Sequence, residues 1–234
     1  SLLDSGVGLE EIALSSSALN RLKPYIELEA RLFDIPLAFV QGKTIGDTLP
    51  GKFLLNLLAL YENDYACSDM KAFFLNPSMP FIHKEDIRIF MEKAVQASIE
   101  SADKTSPDRY AKLILDGEFS YKAFRRCLDN LSNAKDAEKC QSYFQQLLTL
   151  LFDKERFVDT AEDNNVFGFV QDKFKAFLSF VQKSNERGYK IDKPLFSIFV
   201  SLIKNSNYVD KEKVQGVRVY PFEQGAATPY RYHY

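Results

Sequence analysis

The chain has 234 residues, 46% of them hydrophobic, and its 30 Lys and Arg against 32 Asp and Glu leave a net charge of -2. That length supports one large domain or two smaller ones with a real core, and that charge gives no global attraction for nucleic acid, so such a contact has to come from local clusters of cations. No run approaches the roughly 18 apolar residues of a membrane span, and the first residues lack the basic-then-apolar layout of a signal peptide, which together point to a soluble, cytoplasmic protein with no membrane partner.

In chain order, the first segment reads as two strand-helix units. Ile12 to Leu14 is a short apolar run ending in Ser15, Ser16 and Ser17, residues suited to capping the helix that follows. Leu19, Leu22, Ile26, Ala30 and Phe33 recur at helical spacing and predict one stripe packed on a sheet. The run "IPLAFVQG", bounded by Pro36 and Gly42, predicts a buried strand, and "TLPGKFLLNLLALYEND" the next helix. Strand, helix, strand implies parallel pairing through a right-handed crossover.

After Tyr61 strand signals all but vanish until Val214. "SDMKAFFLNPSMP" predicts a helix capped by Ser68 and stopped near Asn76-Pro77, and the next segment carries Ile87, Phe90, Met91, Ala94, Val95 and Ile99 on one face. Phe144, Leu147, Leu148, Leu151 and Phe152 form another stripe, and Val166, Phe169, Val170, Phe174, Phe177, Leu178 and Val181 a third. "PLFSIFVSLIKNSNYV" is apolar nearly all round and predicts a central helix. The last stretch, Gly216 to Tyr234, alternates like a strand, breaks at a Gly-Ala-Ala-Thr-Pro loop and resumes with alternating aromatics. Both ends read as cut, as in a piece of a larger polypeptide.

No segment assembles a complete active site. Gly42-Lys43-Thr44 matches the end of a phosphate-binding loop, but the position five residues earlier that requires Gly is Leu37. Pro107-Asp108 offers the first half of a metal-dependent nuclease motif without the later Asp/Glu-x-Lys, and Asp108 reads as a helix start. Cys67, Cys127 and Cys140 show neither a paired framework nor metal-ligand spacing, and they read as reduced thiols. With only His83, a helix-start residue, and His233 available, no Ser or Cys has a plausible base, so no catalytic residue, metal or cofactor is assigned. For nucleic acid, Lys122, Arg125 and Arg126 share a helical face beside Tyr121. Lys211, Lys213, Arg218 and Arg231 are interleaved with Tyr220, Tyr230 and Tyr232. Cations that track phosphates and rings that stack on bases can line a single-strand channel, which makes Lys122, Arg125, Arg126, Lys213, Arg218 and Arg231 the candidate contacts.

The opening "SLLDSGVGLEEIALSSSALNRLKPYIELEARLFDIPLAFVQGKTIGDT" and the closing "VQGVRVYPFEQGAATPYRYHY" resemble the second motor domain of UvrD-like superfamily I helicases, and more closely its inactivated relatives of the AddB/RecC helicase-nuclease type. The resemblance implies a partial RecA-like parallel sheet unit formed by residues 1–62 and 213–234, with a helical insertion lobe over residues 63–212. Where active members carry a phosphate-binding Arg this chain has Ser15, Ser16 and Ser17, and where they carry a His and Lys-Gly-x-Glu it has Glu223, Ala226 and Ala227. These degenerate nucleotide-site positions imply lost ATPase chemistry. The expected function is a DNA-binding or scanning scaffold in a repair or recombination protein, partnered by DNA and by a helicase or nuclease subunit or flanking domains. The alternative is a protein-interaction module that docks a partner subunit without touching nucleic acid. A contiguous exposed apolar patch, in place of a basic groove, would favour that alternative.

Overall fold

The computed structural model describes residues 6–40, 43–102, 108–113, 117–153, 161–208, 216–225 and 230–234. The fold is mixed α/β and mostly helical, with a small parallel sheet of four strands. The chain divides into two compact units, one made of Ser1–Lys43 and Asn207–Tyr234, the other of Thr44–Ser206. Two-residue strands, β3 (Lys43–Thr44) and β4 (Asn207–Tyr208), lie where the chain passes from one unit to the other.

The α/β unit contains β1 (Ile12–Ser16), α1 (Leu19–Leu32), β2 (Leu37–Phe39), β5 (Val217–Pro221), α9 (Phe222–Gly225) and β6 (Tyr232–His233). Its sheet runs β2-β5-β1-β6, with every pairing parallel. Helix α1 therefore joins two strands that are not neighbours, and the slot between them is filled by β5 from the far end of the sequence. Leu37 is in register with Val217, and Val219 with Leu14. The Val217 N–H donates to the Pro36 carbonyl at 2.8 Å and the Val40 N–H to that of Val219 at 2.8 Å, so β5 is fixed along its length. A strand held on both edges has all its backbone groups engaged, and its β-branched Val217 and Val219 are buried accordingly.

Two local expectations change here. Ser15 and Ser16 continue β1, and α1 starts after Ala18 with no side-chain cap; the Ser16 hydroxyl instead accepts the Ala18 N–H at 3.1 Å. Phe33 is not in the buried stripe. Helix α1 closes at Leu32 and the chain turns through Asp34 at φ 53°, which swings Phe33 to the surface at 72% exposure.

The helical unit comprises α2 (Leu49–Glu62), α3 (Cys67–Phe74), α4 (Lys84–Gln96), α5 (Tyr121–Asn133), α6 (Ala137–Leu151), α7 (Ala161–Glu186) and α8 (Leu195–Ile203). Side-chain caps set several starts: the Thr48 hydroxyl accepts the Gly51 N–H, Ser120 that of Ala123 and Asp136 that of Lys139. Ser68 does not cap α3, which begins one residue earlier, where the Cys67 N–H donates to the Glu100 carbonyl at 2.7 Å. The core is aromatic. Phe53, Phe73, Phe74, Phe81, Phe124 and Phe152 pack ring on ring, and Phe144, Phe174 and Phe199 join α6, α7 and α8. Ile87, Phe90, Met91 and Ala94 form the buried stripe of α4, while Val95, one step beyond it, is 47% exposed. Among the described residues no helix is long and apolar enough to cross a membrane.

Candidate functional site

In the α/β unit a cleft of about 510 Å³ opens between α1 and one face of the sheet. The sheet supplies Ile12, Leu14, Leu37 and Val217; Ile35 and Tyr234 lie at its ends, α1 supplies Tyr25, Ile26, Glu29 and Ala30, and Phe33 follows directly after the helix. The lining is apolar except for the Glu29 carboxylate and the two phenol hydroxyls. Its position follows from α1 itself. Leu19 and Ala30 are buried and Leu22 and Ile26 half-buried, as a stripe facing a sheet should be. A second apolar row, Tyr25, Leu28 and Leu32, recurs at i, i+3 and i+7 and stays 67%, 58% and 68% exposed. Tyr25 of this row and the exposed Phe33 also line the cleft, whereas Leu28 and Leu32 stand outside it; large exposed apolar side chains of this kind mark a contact site when they are not core.

The predicted nucleic-acid contacts behave differently. Lys122 and Arg126 are exposed on α5, but Arg125 turns inward. Its guanidinium pairs with Asp108 and, at 3.5 Å, with Asp129, whose other oxygen accepts the Tyr65 hydroxyl at 2.7 Å. Burial works against the Arg125 charge, and the hydrogen bond to Asp108 together with the fields of Tyr121, Asp108 and Asp129 outweighs it, so its pKa is raised. Tyr121, expected beside these cations, is 4% exposed, and its ring packs on Phe90 and Tyr110. In the α/β unit Arg218 donates to the Tyr230 hydroxyl at 2.9 Å, which is paired in turn with the buried Tyr220. Arg231 is ion-paired with Glu11 at 3.0 Å; the hydrogen bond from Arg231, more than any other influence, pulls the Glu11 carboxyl below its ordinary range. Lys213, Ala226 and Ala227 lie outside the described residues, as do Lys211 and Gly42, and of Glu223 only the backbone, in α9, is described.

Asp108 does start a turn, its carboxylate accepting the Tyr110 and Ala111 N–H groups, but only a single turn over Tyr110–Lys112 follows. Cys127 and Cys140 are buried thiols, and burial pushes the Cys140 pKa up to about 12. Among the described residues no group of three His, Cys, Asp or Glu side chains is placed to hold a metal ion. The structure thus gathers apolar side chains at the cleft and ties Arg125, Arg218 and Arg231 to partners within the chain. The cleft escapes a reading of the sequence, because the Leu19-Leu22-Ile26-Ala30 stripe already accounts for one sheet contact and leaves Tyr25, Leu28 and Leu32 unconsidered. The available signal was the width of α1's apolar arc, which exceeds what one sheet contact requires.

Comparison with known families overturns the helicase assignment. Residues 46–209, more than half of the chain, match the family described as Treponema TP0900 fourth helical domain, which is distinct from UvrD-like helicase domains, and no helicase family matches. Repair, recombination and helicase-nuclease membership fall with that assignment. No curated protein matches the chain.

Proposed function

Since the chain belongs to the Treponema TP0900 fourth helical domain family, we propose that it is a protein-interaction module that acts by docking a partner subunit and not by catalysis or nucleic-acid contact. The observation that carries this is the set of large apolar side chains left exposed on α1 and just after it, Tyr25, Leu28, Leu32 and Phe33, of which Tyr25 and Phe33 line the apolar cleft. Leaving side chains of this size in water forgoes on the order of 1.5 to 3 kcal/mol apiece, and a partner that covers them recovers part of it. A RecA-like arrangement of the α/β unit, as topology and not as ancestry, is part of the proposal; its support is the parallel sheet with β5 inserted between β1 and β2.

The test is site-specific photocrosslinking in cells that make the chain, with Phe33 replaced by benzoylphenylalanine and, as a control, Lys122 replaced in the same way. One defined protein adduct from position 33 and none from position 122 is the expected result. No adduct at 33, or the same smear from both positions, overturns the proposal. Fluorescence titration with single-stranded and forked DNA at low and moderate salt checks the other half: salt-dependent binding would contradict an absence of nucleic-acid contact.

A further inference from the structure

Resting on the docking reading above, we infer that the occupant of this surface is an amphipathic helix of a partner protein that carries Lys or Arg beside its apolar stripe. The first argument is coverage. Four strands about 4.8 Å apart present a face roughly 15 to 20 Å across, whereas one helix with its side chains is about 10 Å wide. Helix α1 fills part of that width. The cleft is what remains, and it exposes sheet side chains Leu14 and Leu37, both only half-buried, at its floor. Parallel sheets are ordinarily covered by helices on their faces, so the shape left over beside α1 is that of another helix.

The second argument is the exposed row on α1. Tyr25, Leu28 and Leu32 alternate spacings of three and four residues, the pattern with which one helix receives side chains from another. An extended segment would pair with a strand edge and would have no use for it. The third argument is charge. Glu29 carries the single charged side chain among the cleft's lining residues; it is exposed and, among the described residues, has no ion-pair partner. The cations of α1 are placed elsewhere. Arg31, two residues on, is turned about 200° around the axis from Glu29, Arg21 is two turns nearer the N-terminus, and Lys23 sits over the Phe39 ring. A partner helix with a cation level with Glu29 gains an ion pair at the rim, whereas an acidic one meets repulsion there.

The experiment uses the full chain with isotope-labelled Ile and Leu methyls and three 18-residue peptides. One is an amphipathic Leu helix flanked by Lys, the second the same helix flanked by Glu, and the third a scramble of the first without amphipathicity. Saturable shifts at Leu28, Leu32, Ile26 and Leu37 with the Lys-flanked helix are expected. The Glu-flanked helix should bind about fivefold more weakly, and Glu29→Lys should reverse that preference. Equal binding of both helices, binding of the scramble as well as the helix, or no shift at these methyls overturns the inference. Sedimentation without peptide adds one more outcome: a dimer abolished by Leu28→Glu would assign the face to a second copy and likewise overturn it. A defined crosslink from position 33 combined with any of these failures leaves the docking reading standing and removes only the helix as its occupant.

Discussion

Arg125 on α5 is ion-paired with Asp108, and that same Asp108 carboxylate accepts the N–H groups of Tyr110 and Ala111, so one side chain joins a helix to a turn that precedes it in the chain. The Arg125 and Asp108 side chains keep 21% and 16% of their surface. At that depth an unpaired carboxylate is costly, and a guanidinium fork that also reaches Asp129 is not matched by an ammonium.

Arg125→Ala should therefore lower stability by about 1 to 3 kcal/mol in urea unfolding, because it strands two carboxylates. Arg125→Lys should restore only part of the loss, and Arg126→Ala, on the exposed side of the same helix, should stay within about 0.5 kcal/mol of the parent. Equal effects at 125 and 126 would show that the inward pairing does not hold the turn.

Parallel pairing of the closing segment with those around Ile12 and Leu37 was legible in the sequence, because short apolar runs separated by an amphipathic helix form a parallel sheet and the alternating closing segment has no other sheet to join. Lineage was not legible from that pairing. A β-α-β unit is common to many unrelated families, and a resemblance resting on the two ends weighed segments that any parallel sheet would share. The family match lies over residues 46–209, where the sequence showed helical character and little else. Periodicity could find the stripes there but not their family, since a Phe at helical spacing reports burial and not ancestry. The candidate cations illustrate a second limit. Composition places Arg125, Arg218 and Arg231 among aromatics, but only coordinates reveal Asp108, Tyr230 and Glu11 closing on them.

Stability should fall at alkaline pH. Burial raises the Cys140 thiol to about 12, and burial likewise raises Tyr65, Tyr110 and Tyr121 above the ordinary phenol value. For Cys140 the folded chain holds its proton where the unfolded chain, with a thiol near 8.5 to 9, has lost it. The stabilisation is complete below that pH and is lost as pH rises from about 9 toward 12. Urea midpoints at pH 8, 9, 10 and 11 should decline progressively, and Cys140→Ala should flatten the early part of the decline. A midpoint independent of pH would contradict the burial of these groups. Under native conditions near pH 8, thiol titration should find Cys67, the one partly exposed cysteine, reacting well ahead of Cys127 and Cys140.

Gly216 admits β5 to its slot. It adopts φ 132°, and a methyl on its Cα would come within 2.4 Å of the Pro36 carbonyl oxygen, the acceptor of the Val217 N–H. Gly216→Ala therefore combines a backbone conformation unsuited to L residues with a collision at the β2 start. We expect a loss of about 1 to 3 kcal/mol and faster amide exchange at Val217 and Val219. Amide protection at both residues equal to that of the parent would argue against this account of the glycine.

The exposed row on α1 and the buried residues of α2 and α3 offer the sharpest contrast between surface left open to a partner and surface placed in the core. Leu57 is fully buried and Phe73 likewise, so Leu57→Ala should cost about 2 to 5 kcal/mol and Phe73→Ala about 3 to 5, through lost transfer energy and a cavity that cannot collapse. Leu28 and Leu32 keep 58% and 68% of their surface, so Leu28→Glu and Leu32→Glu remove little that folding depends on. Both should unfold within about 0.5 kcal/mol of the parent. If the row exists to meet a partner, those two variants should also abolish the photocrosslink from position 33 while leaving the urea midpoint unchanged. That pairing of outcomes separates a contact surface from a weakly packed core. A midpoint drop as large as that of Leu57→Ala would place the α1 row inside the fold and remove the basis for a docking site.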